Sequence, residues 1–393
     1  MGGVSVIELF RNCTTRRSAI SILLACLFFQ SGLIIRVLAE TSSQTDSENA
    51  TRSRKAIAAL QQWYTQSTGL YRTTGWWNSA NAITTLANYS RIVHSKKYLP
   101  VFANTLEMAQ KDPDGAQGFL NKYYDDEGWW ALAWIDVYDL TGDKRYLQQA
   151  ASIFKDMQRG WDNYTCGGGV WWSKDKKDKN AIENELFVSV AASLANREKN
   201  ETLRDEDLSW MRREWQWFRD SGMINASHLV NDGLDTSNPA HCTNNGKRTW
   251  TYNQGVILGG LVEMSRAEQK AGQPDPSLLR LAAQIASAAM EHLKDSHGAL
   301  GEPDDAHDGA DVPQFKGIFV RNLMVLNSKS PIRDYPKFIE TNADLIWTND
   351  RNPSDQLGFW WAGPFDLADA ARQSSALDLL VAADAIYRGR KSP

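Results

Sequence analysis

Two hydrophobic patterns alternate along this chain. In one, apolar residues recur at spacings of three and four on a single stripe, as in Tyr146, Ala150, Ile153, Phe154 and Met157, which predicts a helix with one wet face. In the other, typified by residues 129–140, apolar and small residues run round the whole circumference, as a helix enclosed by protein requires. Enclosed helices are predicted over 79–92, 128–140, 180–195, 253–266, 315–327 and 371–387. Striped helices are predicted over 54–66, 98–110, 143–158, 205–219, 276–293 and 335–348. Thr141-Gly142-Asp143 supplies a stop and then a cap, and Asp275-Pro276 a cap followed by a first-turn proline. No long period-two run rich in β-branched residues predicts a sheet. Paired in this order, the helices imply an all-α fold, an (α/α)6 barrel or six-hairpin toroid, whose repeats form one domain over residues 54–387.

An aromatic-rich loop precedes each enclosed helix: Trp76-Trp77-Asn78, Trp129-Trp130, Val170-Trp171-Trp172, Trp250-Thr251-Tyr252, Gln314-Phe315-Lys316 and Phe359-Trp360-Trp361. In a toroid these loops collect at one end, so the six motifs are expected to line one cleft. The chain has 16 Trp against 13 Phe and 12 Tyr, an excess that suits a carbohydrate groove, where flat rings meet the faces of pyranoses.

The ends bear on compartment. Arg16 and Arg17 precede an apolar run from Ala19 to Ile35, and Val37-Leu38-Ala39 offers small residues for cleavage. Residues 1–39 therefore read as a secretory signal peptide, with an uncleaved signal anchor as the alternative. A flexible linker is expected over 40–53 and a short tail over 388–393, without the hydrophobic stretch that a lipid anchor needs. The sequons at Asn49, Asn88, Asn163, Asn200 and Asn225 agree with a secreted glycoprotein. Cys13 and Cys26 fall in the leader, leaving Cys166 and Cys242, for which one disulfide is expected; two free buried thiols are the alternative. The net charge is −4, and nearer −7 without the leader's four Arg and one Glu, which makes nucleic acid an unsuitable partner. No stable membrane insertion is expected after signal cleavage, and a monomer is expected.

The sharpest chemical feature is Tyr123-Tyr124-Asp125-Asp126-Glu127-Gly128-Trp129-Trp130. Adjacent Asp side chains can lie roughly 5 Å apart, the separation of nucleophile and acid/base in a retaining glycosidase. The competing reading is a helix start, where acidic residues favour the positive end of the dipole and the two Trp begin a buried face. Other chemistries find little support. The six His are scattered without zinc-ligand spacing, and there is no nucleophile elbow or phosphate loop. The acidic run Glu302 to Asp311 lacks the calcium-loop spacing. No metal or cofactor is expected.

The segment Tyr124-Asp-Asp-Glu-Gly-Trp-Trp130 resembles the signature of glycoside hydrolase family 76, the endo-α-1,6-mannanases and their fungal cell-wall relatives. Cys166-Gly-Gly-Gly-Val-Trp-Trp172, Asn180-Ala-Ile-Glu-Asn184, Thr251-Tyr-Asn-Gln-Gly-Val256 and Phe315-Lys-Gly-Ile-Phe319 are similar to further family segments in the family's order, so the resemblance spans roughly 54–387. It implies an (α/α)6 fold and retaining, endo-acting cleavage of α-1,6-mannosidic linkages in mannan or mannoprotein glycans. Carried over by position, Asp125 is the expected nucleophile and Asp126 the general acid/base. A transglycosylase that remodels the cell wall with the same residues, or a noncatalytic mannan-binding protein, are the alternatives.

Sugar stacking is expected from among Trp77, Trp129, Trp130, Tyr252 and Trp360, with core packing as the competing role. Asn78, Asn180, Asn253 and Gln254 are expected on mannose hydroxyls or, alternatively, as caps. Asp311 and Lys316 are expected on the substrate side.

Overall fold

The computed structural model describes residues 48–391 apart from 113, 114, 306 and 308. The expected leader, 1–39, lies outside the described residues. The chain divides into two units, Met1–Thr51, of which only residues 48–51 are described and are helical, and Arg52–Pro393, which holds the ring of helices and the site described below.

Twelve α-helices occur among the described residues. The enclosed set is α2 (Trp76–Ile92), α4 (Tyr124–Thr141), α6 (Ala181–Arg197), α8 (Thr251–Lys270), α10 (Val312–Asn327) and α12 (Ala370–Lys391). The striped set is α1 (residues 48–61), α3 (Leu99–Met108), α5 (Lys144–Met157), α7 (Glu201–Asp220), α9 (Pro276–His292) and α11 (Asp334–Asn349). α2 packs on α4, α4 on α6, α6 on α8, α8 on α10, α10 on α12, and α12 back on α2. The enclosed helices thus close a ring, the (α/α)6 barrel, with α5, α7, α9 and α11 packed outside it.

The hydrophobic patterns explain this arrangement. Burial runs round α6 from Ala181 to Ala195, whereas α5 buries the stripe of Tyr146, Ala150, Ile153, Phe154 and Met157 and wets its other face. Gly142, at φ 71°, ends α4, and the Asp143 carboxylate accepts Arg145 N–H to start α5. Close approach inside the ring needs missing side chains: a Cβ on Gly255 would lie 2.5 Å from Phe319 Cα, and one on Gly317 2.5 Å from Ser375 Cα.

A second device recurs at the mouth of the ring. In five inner helices the fourth residue is polar and accepts a backbone N–H from the preceding loop: Ser79 from Tyr71, Glu127 from Asn121, Asn184 from Val170, Gln254 from Val230 and Gln373 from Leu357. Buried loop backbone is thereby satisfied.

Several boundaries differ from expectation. α1 is already helical at residue 48, inside the expected linker, and stops at 61. The segment expected to extend it to 66 instead turns into a hairpin, β1 (Tyr64–Thr65) against β2 (Leu70–Tyr71), with Gly69 at φ 70°. Spacing alone hid this, because Trp63 and Tyr64 continue the apolar rhythm. α7 begins four residues early because Asn200 caps it, accepting Leu203 N–H. α12 runs through the expected tail to Lys391. β3 (Leu234–Asp235) and β4 (Thr243–Asn244) form another short antiparallel hairpin. A disulfide joins Cys166 and Cys242, with Cα atoms 5.1 Å apart, fastening the loop before α6 to the loop before α8.

Candidate active site

The first turn of α4 projects into the mouth of the ring. Tyr123 is extended, and Tyr124 N–H donates to the Trp172 carbonyl at 3.0 Å, so the loop before α6 lies across the helix start. That contact delivers one donor to the carboxylates: Trp172 Nε1 donates to Asp125 Oδ2 at 3.1 Å. A different donor serves the neighbour. Asn121 folds back, accepting Tyr123 N–H on Oδ1 at 2.8 Å and donating from Nδ2 to Asp126 Oδ2 at 2.6 Å. Beneath them Glu127 is fully buried; its Oε1 accepts Asn121 N–H at 3.1 Å and Lys174 Nζ at 2.8 Å, and Lys174 also reaches Asp156 Oδ2 at 2.7 Å.

These surroundings set the protons. Burial pushes Asp125 up to about 7, opposed by the Trp172 N–H and by backbone N–H groups at the helix start. Burial raises Asp126 well above the ordinary carboxylate range, and the charge of Asp125 raises it further against the pull of Asn121. The two titrate as a pair, and the unequal environments favour the proton on Asp126 and the charge on Asp125. Asp311 adds negative potential to both. Glu127 is pushed up to about 8 by burial, with Lys174 pulling it down.

Aromatic rings from separate hairpins converge beside the pair. Tyr252 of α8 stacks on Phe315 of α10 with centroids 3.9 Å apart and planes 7° apart. Trp129 of α4 lies 5.6 Å from Trp77 of α2 and 6.4 Å from Tyr252. Trp77 Nε1 donates to Asp311 Oδ1 at 2.8 Å. Trp250, Phe359 and Trp360 continue this aromatic cluster.

Of the residues expected at the site, the structure therefore groups Asp125, Asp126, Trp77, Tyr252 and Asp311, with Trp360 on the same aromatic cluster; Trp129 lies against Trp77 and Tyr252 but is itself only 2% exposed and belongs to the core. Others are engaged inside the fold. Trp130 is fully buried and stacks on Trp134 at 5.6 Å, because the residue after Trp129 points about 100° round the helix into the core. Asn78 accepts Gly75 N–H as a cap, and Asn180 caps α6 with Glu183. Gln254 clamps Val230 through both its amide groups. Asn253 is fully buried in the first turn of α8. Lys316 lies behind Phe359, its Nζ 4.0 Å from that ring and bonded to the Phe359 carbonyl; burial pulls it down to about 8. Trp172 and Asn121, the donors to the pair, were not singled out from sequence. Trp172 stood in an aromatic motif, but nothing local tells which indole of Trp171-Trp172 turns inward. No group of three or more His, Cys, Asp or Glu that could hold a metal occurs among the described residues.

A further cavity of about 370 Å³ is lined by all six inner helices, mostly toward their C-terminal ends, and reaches up to Trp129 and Val256. Its charges are matched, Arg197 with Asp139 and Glu263, and Arg321 with Asp378 at 3.1 Å.

A carboxylate pair with unlike partners beside an aromatic wall at the mouth of an (α/α)6 ring is the architecture of a toroidal glycoside hydrolase. The chain belongs to glycosyl hydrolase family 76, whose model matches residues 48–391. It is 27% identical over 201 residues to the mannan endo-1,6-alpha-mannosidase DCW1 of Candida albicans, covering 47% of this chain and 43% of that protein. It is 28% identical over 239 residues to the mannan endo-1,6-alpha-mannosidase DFG5 of Saccharomyces cerevisiae, covering 57% of this chain and 49% of that one. The matched region thus spans about half the length of these curated relatives. Among solved structures, an alpha-1,6-mannanase of Salegentibacter superposes with a TM-score of 0.76 at 23% identity, covering 86% of this chain and 99% of that one; it is an inactive variant with two consecutive Asp replaced by Ala, in complex with alpha-1,6-mannotetrose. Dfg5 from Chaetomium thermophilum, in complex with glucosamine, superposes with a TM-score of 0.71 at 18% identity, covering 87% of this chain and 90% of that one. Among the described residues no helix is long and apolar enough to cross a membrane.

Proposed function

We propose that this protein is a retaining, endo-acting glycosidase that cleaves α-1,6-mannosidic linkages in mannan or mannoprotein glycans, exported through the secretory pathway by its N-terminal segment. The observation that carries the reading is the divided carboxylate pair: Asp125 receives the Trp172 N–H, while Asp126 has the more strongly raised affinity for a proton. Asp125, ionised, attacks the anomeric carbon, and Asp126 gives its proton to the departing glycosidic oxygen. A glycosyl ester on Asp125 results. Asp126, now a carboxylate, draws a proton from the incoming water, which resolves the ester with a second inversion and restores both groups. Trp77, Tyr252 and Trp360 supply ring surface for sugar faces, with Trp129 packed behind Trp77 and Tyr252, and Asp311, held by Trp77, supplies an acceptor for a hydroxyl. The paired aspartates of the inactivated Salegentibacter mannanase and the names of the fungal relatives support the same chemistry and linkage.

The test is mass spectrometry of products from linear α-1,6-mannooligosaccharides, with the Asp125→Asn protein in parallel. Shorter oligosaccharides from the wild type alone are expected. Intact substrate with the wild type would contradict the reading, and products longer than the substrate would assign transfer to an acceptor sugar.

A further inference from the structure

The sequons vary in what the fold does with their amides: Asn163 and Asn200 are exposed and held through the oxygen, and at Asn163 an exposed aromatic ring stands beside the amide as well. Asn163, in the turn after α5, is exposed. Its Oδ1 accepts Trp161 Nε1 at 2.8 Å and also an Arg213 guanidinium N–H, while Arg213 in turn stacks over the Trp161 ring at 4.4 Å. Both donors hold the carbonyl oxygen, so the amide is oriented without use of its nitrogen. The turn itself is fixed: Asp162 accepts the N–H groups of Tyr164 and Thr165, and Cys166 is anchored by the disulfide. Next to Asn163, Tyr164 is 89% exposed, the most exposed large apolar side chain among the described residues.

Asn225 has the opposite arrangement. Its Oδ1 accepts Ser227 and Leu229 N–H, closing a tight hairpin, and its Nδ2 donates at 2.8 Å to Asn231, a residue 8% exposed. A sugar on that nitrogen would have to displace the Asn231 contact inside the fold.

We propose that Asn163 carries an N-linked glycan whose first sugar packs over the exposed ring of Tyr164, and that Asn225 remains unmodified in the folded protein. This rests on the secretory reading above and not on the mannanase reading. In the transfer, Nδ2 of Asn163 displaces a polyprenyl pyrophosphate from the anomeric carbon of a lipid-linked oligosaccharide. A C–N bond forms, the C–O bond to pyrophosphate breaks, and Nδ2 loses one of its two protons. Afterwards the Trp161 and Arg213 donors still meet Oδ1, so modification breaks none of the hydrogen bonds that the fold uses. The pyranose face offers C–H groups to the Tyr164 ring and removes that apolar surface from water.

The full chain, produced in a eukaryotic secretory host and purified as folded protein, is to be deglycosylated enzymatically in heavy-oxygen water. The occupied asparagines are then read as isotope-labelled aspartates by peptide mapping. Label at position 163 and none at 225 is expected, with Asn163→Gln losing one glycan's mass on a gel. Label at other sequons but not at 163 would overturn the site assignment while leaving secretion standing. No label at any sequon would overturn the proposal together with the secretory reading.

Discussion

Replacing Trp172 by Phe removes the indole N–H and leaves a smaller ring where the indole lies tilted against Tyr123, centroids 4.7 Å apart. The indole N–H is the side-chain donor to Asp125 Oδ2, at 3.1 Å, and Asp125 Oδ1 is buried without a partner among the described residues. A hydrogen bond to a charged group is worth about 1.5–3 kcal/mol, and about 1.4 kcal/mol is one pKa unit. Asp125, already pushed up to about 7 by burial, should therefore rise by about 1 to 2 units in Trp172→Phe. Because the nucleophile must be ionised, the sign is fixed: the acid limb of kcat/KM against pH moves to higher pH. At pH 7 the ionised fraction falls from about half to between about a tenth and a hundredth, and the loss shrinks as pH rises. The assay is the pH profile of cleavage of an α-1,6-mannotetraose. A loss of the same factor at every pH, with the limb unmoved, would refute the claim that this N–H sets the charge of Asp125.

Asn121→Ala removes the donor to Asp126 and should raise that group's proton affinity, so the basic limb moves up by about 1 to 2 units; movement of the acid limb alone would contradict the division of roles. Glu185 is fully buried, its oxygens have no partner among the described residues, and burial raises it well above the ordinary carboxylate range. The folded state then binds this proton more tightly than the unfolded chain, so stability is full below about pH 4.5 and falls as pH climbs toward the raised value. Glu185→Gln should gain stability relative to wild type as pH goes from 5 to 8 in urea titrations, and a constant difference would contradict this. Gly255→Ala would gain about 1 kcal/mol by helix propensity alone, yet its Cβ would sit 2.5 Å from Phe319 Cα. The expected outcome is destabilisation by about 1–3 kcal/mol, and a raised melting midpoint would show that the inner helices give way.

The helices were legible because burial on one side or on all sides leaves different periodicities, and in α5 the whole stripe could be named in advance. The end of α1 was not legible, since Tyr64 belongs to a hairpin and its hydroxyl reaches Val101 of α3, a contact invisible to local spacing. At the site, adjacency made Asp125 and Asp126 readable, but their partners arrive from a loop more than forty residues downstream and from a backbone reversal at Asn121. Trp129 and Trp130 are alike in the sequence and both end up buried; only the rotation of α4 turns Trp129 against Trp77 and Tyr252 and Trp130 against Trp134. Gln254 carries an amide suited to sugar hydroxyls, but the loop backbone at Val230 takes both of its groups first.

The measurement that reaches the central claim most directly is proton NMR of the anomer first released from α-1,6-mannotetraose by the wild type, Asp125→Asn and Asp126→Asn proteins. A wild-type product released first as the α-anomer, with both variants folded and nearly silent, is the result that double displacement through this pair predicts. A β-anomer released first, or near-native turnover in either variant, would contradict it.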